Sequence, residues 1–430
     1  MKKVLIIGHF WPYRGRGSVR MLGLVKYLPE FGWEPIILTG PLKDRPNPNF
    51  RFIETDYLGF LGSWIKFLGI NQKNDIGDQL KVKFDRKPSK SKYFLKFFYN
   101  LLKEIFAYPD EDKNWKKFAL RAAEDLLKKE KIDVMISIYP ETSHLIAKEL
   151  KIKYKIPWIV DFPDLWSQNY YYPYTFVRKF FDRRLEIKTI KSADALTVVC
   201  GFFIEKLKTI HKNKANHVIL HGFDPEEINE PVADLTNKFT ITYTGQIYIG
   251  KQDPLKLFIA LRELISDGTI NPKDVEVRFY GPKNDWLENK IKNYKLSNII
   301  KQYGAIPRNE VIKKQRRSQV LYFLKWEDEQ SKGVYTGKIF EYLAAQRPIL
   351  ATGGSKDVVT DLLIETRAGS EAFDIKNIES CLKRLYGEYK QKGKVSYNGD
   401  REAINKYNHR EMAKKFADVL DEITYDEKRS

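Results

Sequence analysis

Five short stretches carry the residue types that do chemistry. Lys338 and Glu341 lie three apart in a segment of helical periodicity, hence on one helix face, with Gly333 and Gly337 just before them. A carboxylate there can accept both hydroxyls of a ribose; the spacing also fits an ordinary surface ion pair. Tyr243-Thr244-Gly245-Gln246-Ile247-Tyr248-Ile249-Gly250-Lys251 reads as strand, glycine turn and basic residue. Such a turn lays backbone amides and the Lys251 ammonium against a diphosphate. Gly281 ends the next strand-like run and joins this binding group.

Asp161-Phe162-Pro163-Asp164 closes another strand-like run. Two carboxylates at a strand's C-terminal end can orient a hydroxyl or act as a base. The plain alternatives are a turn at Asp161 and a helix cap at Asp164. Ser143-His144 opens a helix after Tyr139-Pro140. A histidine near a helix N-terminus resists protonation and suits a hydrogen bond to substrate. Asp161, Asp164, His144 and Lys251 are therefore the catalytic candidates. Gly15-Arg16-Gly17-Ser18 separates the first strand from the first helix, where glycines let a phosphate approach the helix amides. The full three-glycine dinucleotide pattern is absent, and the stretch also fits a plain turn.

The elements that must position these residues alternate. Residues 4–7 are an apolar run ending in Gly8, as in a strand buried on both faces. Met21, Leu24, Val25 and Leu28 follow at helical spacing, and residues 35–39 form the next strand. Further strands are expected at 133–138, 157–161, 195–199 and 218–220, with helices at 118–129, 144–150 and 176–192. A second series begins at strand 239–244 and continues through strands 275–280, 320–324 and 348–351, with helices at 254–266 and 338–345. A last helix covers 410–423. Two such βα series predict an α/β protein of two doubly wound domains facing across a cleft, with ligands at the strands' C-terminal ends.

Composition narrows the partners. The chain has 430 residues, and 75 Lys plus Arg against 56 Asp plus Glu give a net charge of +19, which favours anionic partners. Only two cysteines, Cys200 and Cys381, occur, which excludes a disulfide framework and a cysteine-built zinc site. The opening apolar run is shorter than the roughly 7–15 residues of an export signal. No uncharged run approaches the ~18 residues of a membrane span. The expectation is a cytoplasmic protein, peripheral on the inner face of the cell membrane. Membrane contact would fall to residues 90–108, where Phe94, Phe97, Phe98, Leu101, Leu102 and Ile105 share a helical face with Lys92, Lys96 and Lys103 elsewhere. Packing on its own domain is the alternative for that helix.

In their order and spacing these pieces resemble the family 4 glycosyltransferases. The likeness runs through the glycine loop, Tyr108-Pro109-Asp110 with Trp115, Ile156-Pro157-Trp158-Ile159-Val160-Asp161-Phe162, His221-Gly222-Phe223-Asp224, Tyr243-Thr244-Gly245, residues 338–345 and Arg347-Pro348-Ile349. It implies the two-Rossmann GT-B fold, with an acceptor-side domain at 1–221 and a nucleotide-sugar domain at 222–404. A C-terminal helix at about 405–425 would return to the first domain. It also implies retention of anomeric configuration, no obligatory metal and no cofactor beyond a nucleotide diphosphate sugar as donor. Gly15, Gly17, Gly245, Gln246, Lys251, Gly281, Gly337, Lys338 and Glu341 would bind that donor. Lys251 would neutralise the leaving diphosphate, and Glu341 would match the second Glu of the family's Glu-x7-Glu motif. The first Glu falls at Gly333. Backbone groups of Thr336 and Gly337, or Glu327 and Glu329, would have to replace it. His221-Gly222 stands where the family has Asn-Gly.

The sequence thus reads as a hexosyltransferase that moves sugar to a hydroxyl of a glycan or lipid-linked glycan, as in polysaccharide biosynthesis. A GT-B sugar-nucleotide 2-epimerase is one alternative. A basic nucleic-acid-binding protein is another, but the cations are spread along the chain and no nucleic-acid motif occurs, so no nucleic-acid partner is expected.

Overall fold

The computed structural model describes residues 1–9, 18–42, 49–57, 104, 107–169, 171–172, 174–229, 234–328 and 333–426. Gly15 and Gly17 lie outside the described residues, as does nearly all of the aromatic stretch 90–108. The chain forms two compact units, Met1–Ile219 with Ala413–Ser430, and Leu220–Met412.

Unit 1 contains strands β1 (Lys2–Ile7), β2 (Trp33–Thr39), β3 (Arg51–Glu54), β4 (Val134–Ser137), β5 (Trp158–Phe162), β6 (Ala195–Val198) and β7 (Ala215–Val218). They form one sheet in the order β3-β2-β1-β4-β5-β6-β7, every pair parallel. Helices α1 (Ser18–Tyr27), α2 (Lys116–Leu127), α3 (Glu141–Tyr154), α4 (Phe176–Ile190) and α5 (Gly201–Lys208) connect the strands. Val4, Leu5, Ile6 and Ile7 have no exposed surface, which explains the unbroken apolar run: helices cover both faces of a parallel sheet. Val4 pairs with Pro35 on one side and Val134 on the other. The strand order therefore reverses between β1 and β4, the place where such sheets bind ligands.

Unit 2 repeats the plan. Its strands are β8 (Phe239–Thr244), β9 (Val275–Tyr280), β10 (Ile300–Gly304), β11 (Val320–Leu324), β12 (Ile349–Thr352) and β13 (Gly369–Ala372), in the parallel order β10-β9-β8-β11-β12-β13. Its helices are α6 (Pro225–Asn229), α7 (Leu255–Ser266), α8 (Asp285–Asn293), α9 (Arg308–Arg316), α10 (Gly337–Ala345), α11 (Val358–Thr366), α12 (Ile375–Lys392) and α13 (Arg401–Asn405). Alternate residues of β11 serve opposite faces: Val320, Tyr322 and Leu324 pack with Phe258 of α7, and Leu321 and Phe323 with Ile339 and Leu343 of α10. The switch point lies between β8 and β11.

The last helix, α14 (His409–Asp426), belongs to unit 1 from Ala413 onward. There Phe416 lies under the Arg20 guanidinium, 5.1 Å from ring centroid to Cζ, and Asp421 accepts from Lys2 Nζ at 2.7 Å. The strand expected at 218–220 is Ala215–Val218, and β3, β10 and β13 were not foreseen. No helix among the described residues is long and apolar enough to cross a membrane.

Candidate functional site

At the end of β8 the backbone turns at Gly245, whose φ of 103° belongs to glycine. Its N–H donates to the carbonyl of Tyr280 at 2.6 Å, which ties the turn to the end of β9. Gly281 follows at once. A Cβ on Gly281 would fall 2.2 Å from the Gly245 carbonyl oxygen, so only glycine lets the two strand ends approach this closely. A Cβ on Gly245 would meet Lys338 Cε and Nζ at 3.1 Å. Two glycines and Lys338 thus converge at the switch point.

Lys338 stands in the first turn of α10, with Nζ 3.8 Å from the centroid of the Tyr243 ring. Loss of hydration lowers its pKa to about 7, and the Glu341 carboxylate offsets only part of that. Nζ has no hydrogen-bond or ion-pair partner among the described residues. Helix α10 has no side-chain cap and no acidic residue in its first turn. Its positive end therefore carries a cation, the reverse of the usual pairing. An anion placed here would meet the helix amides and the lysine together.

Around this centre the side chains hold one another. Glu341 Oε1 accepts from Arg308 Nη1 at 2.5 Å, so its carboxylate is ion-paired with the first residue of α9. Lys251 Nζ lies 3.1 Å from Asp328 Oδ2, and the Lys251 carbonyl accepts from Glu327 N–H at 2.8 Å. The Lys251 turn is thereby stitched to the segment after β11. Gln246 is exposed, and its carbonyl accepts from Tyr243 Oη at 2.8 Å. Gly337 is exposed beside open space. Gly333, where the resemblance asks for Glu, has a φ of 87°, a conformation that strains any residue with a Cβ.

Three residues at this switch point escaped the sequence reading. Tyr342 Oη accepts from Thr244 N–H at 3.0 Å and donates to the Tyr322 carbonyl at 3.2 Å, which fixes the end of β8. Arg308 is the partner of Glu341. Lys325 follows β11 directly and is buried, bonded to Glu371, to Asp357 Oδ1 at 2.9 Å and to the Ser355 carbonyl at 2.6 Å. Burial pushes the Glu371 carboxyl up. A basic residue immediately after a strand beside the switch point was the available signal for Lys325.

In unit 1 two of the three expected catalytic residues, Asp161 and His144, are enclosed. Asp161 is fully buried and accepts from Arg20 Nε at 3.0 Å, Arg20 Nη2 at 3.1 Å and Thr197 Oγ1 at 2.6 Å. Its oxygens are committed to holding α1 and β6, an arrangement that departs from the acceptor-facing base read in the sequence. Asp164 is half-buried. His144 is buried in the first turn of α3, with Nδ1 2.8 Å from Ser137 Oγ, which also accepts from Trp158 Nε1 at 2.8 Å. Its ring packs on Phe162 and Trp166. Burial lowers its pKa to about 3, so the ring is neutral; desolvation is the cause, where the sequence reading invoked the helix end. The Asp110 carboxylate accepts from Thr142 N–H at 2.6 Å at the start of α3, and burial raises its pKa to about 6.

No family model matches the chain, and no curated protein matches it in sequence. Solved structures do resemble it. Sucrose-phosphate synthase from Thermosynechococcus elongatus shares 12% identity at a TM-score of 0.61, over 98% of this chain and 99% of that one. Anabaena HepE, in complex with UDP and glucose, shares 11% at 0.57, over 98% and 100%. UDP-GlcNAc 2-epimerase from Methanocaldococcus jannaschii shares 12% at 0.51, over 98% and 99%. The likeness establishes the fold: two Rossmann-like units of the GT-B type found in glycosyltransferases.

Proposed function

We propose that this protein is a retaining glycosyltransferase of the family 4 type. It would move a sugar from a nucleotide diphosphate to a hydroxyl of a glycan or lipid-linked glycan. The observation that carries the reading is Lys338: a half-buried amine without a counter-ion among the described residues, at an uncapped helix start, beside a glycine turn at the switch point. A diphosphate supplies the missing charge. As the glycosidic bond breaks, negative charge grows on the leaving diphosphate, and a fixed cation with helix amides stabilises that charge most where water is excluded. Glu341 is assigned to the ribose, which requires it to share or leave Arg308. Lys251 assists at the diphosphate from the neighbouring turn.

Calorimetric titration with UDP-, GDP- and ADP-sugars tests this. Lys338→Ala should weaken a diphosphate donor roughly ten- to hundredfold, the effect of losing a charged partner worth about 1.5–3 kcal/mol, and leave the free nucleoside unaffected. Glu341→Ala should weaken both. Unchanged donor affinity in folded Lys338→Ala overturns the assignment. A donor that isomerises at C2 without any acceptor, followed by NMR, would instead favour the epimerase reading that shares this fold.

A further inference from the structure

Helix α4 is built inside out. Its buried positions include Arg178, Asp182 and Glu186. Arg178 Nε donates to Asp182 Oδ2 at 2.9 Å, and Glu186 Oε2 accepts from Ser167 N–H at 2.9 Å. Polar bonds such as Arg178 Nη2 to the Pro109 carbonyl fasten this helix to unit 1, and the apolar residues of its first half are left facing outward. Phe176 is 84% exposed, Phe180 54%, Phe181 52% and Val177 49%. Their spacing puts them on one side of the helix. Single exposed apolar residues need no partner, but a contiguous set marks a contact surface.

Cations share that face. Lys179, Arg183 and Arg184 are exposed, and the Arg184 guanidinium lies 5.1 Å from the Phe180 ring centroid. A groove of about 340 Å³ runs between Phe176 and Phe180 and the cations Lys179, Arg183 and Lys206. No acidic side chain is among the described residues lining it. From this pairing we infer that the outer face of α4, with Lys206 of α5, docks on an anionic lipid bilayer. The rings enter the boundary between headgroups and acyl chains, and the cations meet the phosphates. A second copy of the chain fits less well, because a self-paired face would set these cations against their own kind in a protein of net charge +19. The residues named belong to α4 and α5, and the inference does not rest on sugar transfer.

Co-sedimentation with phosphatidylcholine vesicles, with and without phosphatidylglycerol, tests it. The wild-type protein should sediment only with the anionic vesicles and be released by salt. Phe180→Ser with Phe181→Ser should lower vesicle affinity about tenfold for each ring. Lys179→Gln with Arg183→Gln should lower it about fivefold for each cation. All four side chains are exposed, so thermal unfolding should match the wild type. Wild-type vesicle affinity in either double variant overturns the inference, as does absence of binding by the wild-type protein. A dimer in sedimentation velocity that Phe180→Ser with Phe181→Ser dissolves, without vesicle binding, would assign the face to self-association instead.

Discussion

Both units place charged side chains near their switch points, on sheets of the same order, but they treat those charges differently. In unit 1, Asp161 is matched inside the fold by a two-pronged Arg20 and by Thr197. In unit 2, Lys338 sits against Tyr243 with its charge unmatched among the described residues and its pKa lowered. A fully bonded buried charge holds structure together; an unmatched one is ready for a ligand. The difference separates two residues that look equally functional in sequence, each following or facing a strand end.

The sharpest way to break this comparison is to attack the matched pair. Asp161→Asn leaves Arg20 buried without its counter-charge and should cost about 3–5 kcal/mol of stability, read from denaturant unfolding. Replacing the pair together, Arg20→Met with Asp161→Leu, should recover most of that loss. Lys338→Met, by contrast, removes an unmatched charge and should leave stability unchanged or raised. If Asp161→Asn unfolds like the wild type yet loses turnover, Asp161 is catalytic and the contrast fails.

His144 gives a smaller effect of the same kind. Its folded pKa of about 3 lies below the ordinary value of 6.5, so the unfolded chain binds the proton first as pH falls. Stability should therefore drop below pH 6.5, by about 1.4 kcal/mol per pH unit down to the folded pKa. In His144→Gln this part of the acid loss should vanish, which unfolding curves at pH 7 and pH 4.5 would show. An unchanged pH dependence would mean that His144 is hydrated and protonated in the native state, as a substrate-facing residue would be.

What was legible in the sequence follows from burial. Central strands such as β1 and β8 are covered on both faces; β1 reads as an unbroken apolar run, and β8 as Phe, Ile and Tyr alternating with buried threonines. The strands misplaced or missed, β3, β7, β10 and β13, are the four sheet edges, half-exposed and without that run. The glycine turn and Lys338 were legible because their chemistry is local to two strand–turn–helix joints. The partners of Asp161 and Glu341 were not, because Arg20 is 141 residues from Asp161 and Arg308 is 33 from Glu341. Only the folded sheet reveals which charges are already matched. The inverted helix α4 escaped for a related reason: its aromatic residues have ordinary helical spacing, and only burial shows that they face outward.

The finest test concerns the unmatched lysine itself. Free Lys338 has a pKa of about 7, so at pH 6 it is charged before a ligand arrives and at pH 8 it is mostly neutral. A bound diphosphate favours the ammonium and raises that pKa. Binding above pH 7 must then take up a proton, and affinity should fall with rising pH by up to about tenfold per unit until the raised pKa is passed. A nucleotide diphosphate sugar is the right ligand, because its phosphates have no proton to lose in this range. Titrations at pH 8 in two buffers of different ionisation heat should show uptake approaching about one proton per donor bound. Lys338→Met should abolish the uptake, and the free nucleoside should show none. Donor binding at pH 8 without proton uptake would mean that Lys338 is already charged and matched. Unit 2 would then resemble unit 1 at the point where the two are argued to differ.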